Sequence, residues 1–280
     1  MNCLVLGYGS IGKRHAHNLL CMGHSVVVYD PAHAVLTAWD TGAYDAVVVS
    51  SPTKHHSVQA GHWCQRVRGV YVEKSAACTA QEWVPVIDVA SAFGAKVAVG
   101  HNWRFHPAAE ELRKLGPIKR ALFTSLDDFY HWPSGKDHLG KDGIVLVSSS
   151  HTVDLINHLY GPVECYGAMK LVDGGGVALR LRDRRIYADD TGGFTVDIVN
   201  VWASPITAST AWGVLEDGWA FEMDLLAEEW REYTEGKMHY DCLAAFMHWV
   251  ETGERDPRTC TAQEGLEVME VLDQCREKLE

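Results

Sequence analysis

Short runs of β-branched and other apolar residues recur through roughly the first hundred positions, at 3–6, 25–29, 46–49, 69–72 and 96–99. Helix-length stretches lie between them, at 10–22, 32–39, 55–66 and 79–93. Strands that are apolar at nearly every position must be covered on both faces, so this alternation predicts a parallel sheet between two layers of helices. Right-handed crossovers then make it a doubly wound sheet.

The pattern changes after about Gly116. From Ile118 onward apolar and polar positions alternate, and turn residues at 173–176 and 183–185 separate strand-like runs at 177–181 and 185–188. Further strands are expected at 194–203, 207–216 and 219–225, and helices at 238–252 and 261–279 close the chain. Strands that follow one another without helices argue for a mostly antiparallel sheet. The fold class is therefore α/β, with a boundary near 117. Residues 1–117 make up the first part, and 118–280 a second α/β domain. The last helix can pack back on the first domain. There is no Pro/Ser-rich linker, internal repeat or low-complexity segment.

Composition narrows the partners. A formal charge of −12 over 280 residues opposes nucleic-acid binding, which needs a clustered positive footprint. Hydrophobic residues at 47% and charged residues at 22% are enough to bury a core. Apolar runs such as 46–49 and 143–147 fall far short of the ~20 residues that span a bilayer. No basic segment precedes the first apolar run, so no secretory leader is expected. The eight cysteines form no C-x-x-C pair and read as free thiols in a reducing, cytoplasmic compartment.

The most specific local signal is Gly7-Tyr8-Gly9-Ser10-Ile11-Gly12, which follows the first strand and opens the first helix. Glycines there permit a tight turn, close backbone approach to a pyrophosphate, and close helix–strand packing. The helix start adds unpaired N–H groups and a positive dipole. Asp30 ends the second strand at the ~20-residue spacing of a carboxylate that bonds the adenosine ribose hydroxyls. It would repel a 2′-phosphate, which favours NAD over NADP. Lys13 and Arg14 work the other way if either reaches a phosphate; otherwise they form a solvated helix face. His15 continues the stripe of Ile11 and Leu19, either as a ligand or as a satisfied, semi-buried histidine.

In open α/β sheets, chemistry gathers beyond the carboxyl ends of the strands. Strand three ends in Ser51, Pro52 and Thr53, with His56 close behind. Strand four delivers Glu73, Lys74 and Ser75, and a lysine beside a nicotinamide is placed to hold or move a proton. Strand five delivers His101, Asn102, Trp103, Arg104, Phe105, His106 and Pro107.

With these segments in order, the chain resembles the Gfo/Idh/MocA oxidoreductases, relatives of glucose–fructose oxidoreductase and inositol dehydrogenase. The resemblance rests on Gly7-x-Gly9-x-x-Gly12-x-x-His15, Ser51-Pro52-Thr53-x-x-His56, Glu73-Lys74, Asn102-x-Arg104-Phe105-His106-Pro107 and His151-x-x-Asp154. The helix with Tyr240 and Phe246, then Gly253-Glu-Arg-Asp-Pro257, continues it. It implies a Rossmann domain, an open antiparallel sheet that serves oligomerisation as homodimer or homotetramer, and NAD(P)-linked chemistry on a sugar, polyol or sugar nucleotide. It also implies cofactor contacts from Gly7, Tyr8, Gly9, Ser10, Ile11, Gly12, Asp30, Ser51, Pro52, Thr53, His56, Glu73, Lys74, Asn102 and Arg104.

Two positions depart from the family pattern. Ser75 replaces the proline of Glu-Lys-Pro, and since a cis bond before a non-proline residue costs ~2.5–4 kcal/mol, a trans bond or a local rearrangement is expected. The aspartate that precedes the family's histidine is replaced by Val147 or Ser148. His151 remains the expected base, because a hydride leaves a carbinol carbon only as the hydroxyl proton is removed. Lys74 either orients the hydroxyl and stabilises developing negative charge, or shares the proton if burial and the nicotinamide cation lower its pKa. Asp154 either bonds a sugar hydroxyl or faces the partner domain, and His158 is structural; a metal site from these three side chains is not expected.

Trp103, Arg104, Tyr130, Trp132, Ser148, His151, Asp154 and Lys74 make up the expected substrate surface, with Phe129 and His131 beside it. Arg182, Arg184 and Arg185 read as a solvated turn. A second function class, a dinucleotide-binding regulator or sensor without dehydrogenase turnover, follows from the missing aspartate.

Overall fold

The computed structural model describes residues 1–32, 43–128, 143, 145–172, 176–184, 193–201 and 203–279, with backbone alone at 127–128, 172 and 203–206. The helix expected at 32–39, the turn at 173–175, the strand at 185–188 and the aromatics Phe129, Tyr130, His131 and Trp132 lie outside the described residues. Two compact units emerge: residues 1–105 with 236–269, and residues 106–235 with 270–280.

The first unit is built on β1 (Asn2–Leu6), β2 (Ser25–Tyr29), β3 (Ala46–Val49), β4 (Gly69–Val72) and β5 (Lys96–Val99). They pair in parallel in the order β5-β4-β3-β1-β2. Every residue of β3 and β4 is buried, which is why these segments show no alternation in the sequence. Helices α1 (Ser10–Cys21), α2 (His56–Cys64) and α3 (Ala80–Phe93) connect them. The start of α3 is fixed by Thr79, whose hydroxyl accepts the Glu82 N–H at 3.2 Å, and its end by Gly94 at φ 70°.

Beyond this succession, residues 236–269 belong to the same unit. In α6 (Met238–Thr252), Leu243, Phe246 and Val250 join Val5, Val48 and Tyr71 in one core. Gly69 makes this docking possible, because a Cβ there would lie 2.3 Å from Val250. Truncating the fully buried Phe246 to alanine would cost ~3–5 kcal/mol. The two-residue strand β12 (Cys260–Thr261) then adds to β5 in antiparallel sense.

The second unit contains α4 (Pro107–Leu115), β6 (Ile118–Asp128), α5 (Ser150–Tyr160), β7 (Val163–Val172), β8 (Gly176–Asp183), β9 (Thr195–Val201), β10 (Ala203–Leu215) and β11 (Ala220–Asp224). Its sheet runs β11-β10-β6-β9-β8-β7, antiparallel throughout except for the parallel pair β6–β9. One face is apolar and buried, including Phe123, Leu179, Leu181, Val196 and Ile198. The other shows the expected alternation, with exposed Arg180 and Arg182. The final helix α7 (Ala262–Glu277) runs from residues of the first unit into residues of the second. No described helix is long and apolar enough to cross a membrane.

Candidate active site

Three glycines shape the turn after β1, each by a different constraint. Gly7 has φ +92°, and a Cβ there would strike the Ser50 carbonyl oxygen at 2.6 Å. Gly12 is buried, and a Cβ there would fall 2.0 Å from the Gly7 carbonyl. Gly9 is the contrast: among the described residues, a Cβ at Gly9 would meet nothing within 4 Å. The protein's own packing gives no reason for glycine at that position, whereas close approach of a ligand would. No side chain caps the start of α1, and no acidic residue sits in its first turn. The N–H groups of Ser10, Ile11 and Gly12 therefore point outward without helical acceptors, an anion-binding arrangement.

Asp30, at the end of β2, accepts the Tyr8 N–H at 2.6 Å and the Ala32 N–H at 2.7 Å. Lys13 places its ammonium 5.5 Å from the centre of the Tyr8 ring. Arg14 donates to Nδ1 of His239 at 3.3 Å, so it is committed to α6 rather than to open solvent. Burial pushes the pKa of His239 down to about 4, so this ring is neutral and can accept.

The ends of β3 and β4 are tied together by His56. Its buried ring lies between the Ser51 carbonyl at 2.7 Å and the Ser75 carbonyl at 2.8 Å. Burial lowers its pKa, and as a neutral ring it donates to one of the two. Ser51 in turn donates to Gln59 at 2.6 Å, and Pro52 and Thr53 lead into α2. The peptide between Lys74 and Ser75 is cis, which corrects the trans bond expected from the loss of proline. The Ser75 carbonyl that lies 2.8 Å from His56 belongs to the following peptide.

Glu73 does not face open space with both oxygens. One accepts from Nε2 of the fully buried His15 at 2.7 Å, and the other from the Lys74 backbone N–H at 3.2 Å. His15 is thus fully buried and hydrogen-bonded through Nε2 alone among the described residues. Burial would raise the Glu73 pKa, but the His15 hydrogen bond and neighbouring positive charge, including Lys74, hold it below the usual carboxylate value. Lys74 itself is half-buried.

The segment after β5 forms a tight turn over Asn102–Phe105. Asn102 is 3% exposed and its Oδ1 meets no hydrogen-bond donor, leaving a buried acceptor available to a ligand. Trp103 is half-buried. The Arg104 guanidinium is buried and bonds Glu264 at 3.0 Å, so one of its arms is structural. Burial raises the Glu264 pKa, an effect outweighed by Arg104 and by the Thr261 N–H and hydroxyl, so the carboxylate stays ionised.

Ser148, His151 and Asp154 belong to the second unit. A wide π-type turn, Val145–Ser149, runs directly into α5 and carries half-buried Val147 and Ser148, the two positions set against the aspartate of the resembled pattern. Asn200 of β9 donates to the Ser149 hydroxyl at 2.7 Å and holds this turn from the sheet. His151 lies in the first turn of α5, and Asp154 is fully buried one turn later. His239, Arg14 as its partner, Glu264 and Asn200 escaped the sequence reading. A polar residue alternating with apolar ones in β9 was the one available signal, for Asn200 alone.

No family model matches the chain, and no curated protein matches it. Solved structures do. UDP-N-acetylglucosamine 3-dehydrogenase GnnA from Acidithiobacillus ferrooxidans is 18% identical with TM-score 0.80, over 100% of this chain and 98% of that one. Myo-inositol 2-dehydrogenase from Lactobacillus plantarum is 15% identical with TM-score 0.82, over 99% and 96%. An oxidoreductase from Agrobacterium radiobacter in complex with NAD+, L-tartaric acid and magnesium is 13% identical with TM-score 0.79, over 99% and 96%. The chain has the fold of these dehydrogenases. Both of its units are represented in that fold, since the likeness spans essentially the whole length of each protein.

Proposed function

We propose that the protein is an NAD-dependent dehydrogenase of the Gfo/Idh/MocA family that moves a hydride between the nicotinamide and a sugar, polyol or sugar-nucleotide carbinol. One observation carries this reading above the others: Gly9 sits in open space at an uncapped helix start, beside an Asp30 carboxylate fixed at the end of β2. Similar structures named as sugar and polyol dehydrogenases, and one holding NAD+, support it.

The residues present fit a dinucleotide. Gly7–Gly12 and the α1 N–H groups would hold the pyrophosphate, Asp30 the adenosine ribose, and Asn102 with Ser51, Pro52 and Thr53 the nicotinamide half. Glu73 and His56 would serve that half indirectly, by fixing the Lys74–Ser75 segment. When bound, NAD supplies the hydride acceptor. His151 then takes the hydroxyl proton, and Lys74 orients that oxygen and stabilises its developing charge. Ser148 and Asp154 would bond substrate hydroxyls, and Trp103 would offer a flat face to a sugar ring.

The second sheet exposes Trp212 and Met169 on the face that carries Arg120, Asp197 and Arg180, and a second copy of the chain would cover it. A monomeric mass in solution would exclude that assembly. The second reading, a dinucleotide-binding regulator, rests on Ser148 standing where a carboxylate is expected. Titration calorimetry with NAD and NADP tests the shared core of both readings. Saturable binding of NAD is expected, and no binding of either dinucleotide would overturn them.

A further inference from the structure

We propose that His15 and Glu73 form a buried positioning pair that keeps the Lys74 side chain charged. The proposal rests on the role given to Lys74 above. His15 projects from the second turn of α1, and Glu73 follows the last residue of β4, so the pair joins the glycine turn to the lysine segment. The Nε2–Oε1 distance is 2.7 Å, with His15 fully buried and Glu73 8% exposed.

The surroundings leave Glu73 few other counter-charges. Nδ1 of His15 is buried and meets no partner among the described residues, so Nε2 makes the ring's one hydrogen bond. Tyr71 packs its ring edge on His15 at 5.3 Å, but its hydroxyl donates to Sγ of Cys242 at 3.4 Å and not to the carboxylate. From α6, His239 faces the pair as a neutral ring accepting from Arg14. From the end of β5, Gly100 brings only backbone; a Cβ there would lie 3.0 Å from Oε1 of Glu73 and 2.8 Å from the Tyr71 hydroxyl. Lys74, whose own N–H bonds the second carboxylate oxygen, is the adjoining cation. A buried anion in this position favours the protonated lysine. His15 matters because an unpaired carboxylate at this depth would take up a proton and lose that influence.

The test reads Lys74 directly and does not require turnover. Trace acetylation with acetic anhydride, followed by mass spectrometry of the Lys74 peptide, measures how readily the amine gives up its proton. The exposed Lys114 serves as the internal reference. Glu73→Gln should speed Lys74 labelling about tenfold at neutral pH, the scale of one neighbouring opposite charge. His15→Leu should do the same, while His15→Gln, which keeps a donor at the Nε2 position, should label like the wild type. If Glu73→Gln does not fold, His15→Leu and His15→Gln carry the comparison. Equal labelling of wild type and either disrupting variant would overturn the pair, whatever the turnover. A wild type that labels as expected yet never oxidises a substrate would instead sink the dehydrogenase reading and leave the pair standing.

Discussion

The Asp30 carboxylate accepts the Tyr8 backbone N–H at 2.6 Å and so ties the end of β2 to the glycine turn after β1. With its other oxygen bonded to the Ala32 N–H at 2.7 Å, the side chain has little freedom to swing away from an arriving cofactor. A carboxylate so held can accept from ribose hydroxyls and repels a phosphate. Asp30→Ala should weaken NAD by ~10- to 100-fold, the scale of one or two charge-assisted hydrogen bonds, and weaken NADP far less. Fluorescence titration with both dinucleotides reads the ratio; an unchanged preference would remove Asp30 from the cofactor site.

Gly9 and Gly12 should respond in opposite ways to the same small change. A Cβ at Gly12 collides with the Gly7 carbonyl and the Ser50 hydroxyl, so Gly12→Ala should lower the melting temperature of the protein alone. A Cβ at Gly9 meets nothing within 4 Å, so Gly9→Ala should melt like the wild type and yet lose NAD affinity. Equal NAD affinity in wild type and Gly9→Ala would mean that no pyrophosphate approaches this turn.

Histidine burial should make the protein less stable in mild acid. Nδ1 of His106 accepts the Ala108 N–H at 3.1 Å and caps α4, and the ring packs against Trp230 at 5.3 Å. Burial pushes its pKa from 6.5 down to about 4. The folded state therefore binds fewer protons than the unfolded chain between these values. Stability is full above pH 6.5 and falls as pH drops towards 4, by up to about 3 kcal/mol from this group. His56 and His239 shift in the same direction and add to the slope. His106→Asn keeps a capping acceptor without the titration. Its melting temperature should fall less steeply across this range, and identical slopes would show that His106 does not contribute.

Much of the first unit was legible because buried parallel strands are written as unbroken apolar runs; β3 and β4 are read directly at 46–49 and 69–72. The glycine turn was legible for a related reason, since Gly7 and Gly12 each answer a steric demand that no other residue meets. The return of α6 to the first unit was not, because nothing local to it says which sheet its apolar face will meet; Gly69 is the complementary mark and lies far away in the chain. The site was half legible. Its residue types could be picked out at strand ends, but the pairing of Glu73 with His15 joins positions 58 apart, and Arg14 and His239 lie 225 apart. Such pairings depend on tertiary placement, which spacing along a sequence does not encode.

The central claim is hydride transfer through Lys74 and His151, and NADH formation tests it most directly. Purified protein with NAD is offered polyols, sugars and nucleotide sugars, beside Lys74→Ala and His151→Asn. The account expects at least one substrate to be oxidised, with kcat reduced ~10²- to 10⁴-fold in either variant and NAD affinity largely unchanged. Tight NAD binding with no hydride exchange on any member of these classes, or full activity in Lys74→Ala, would contradict it.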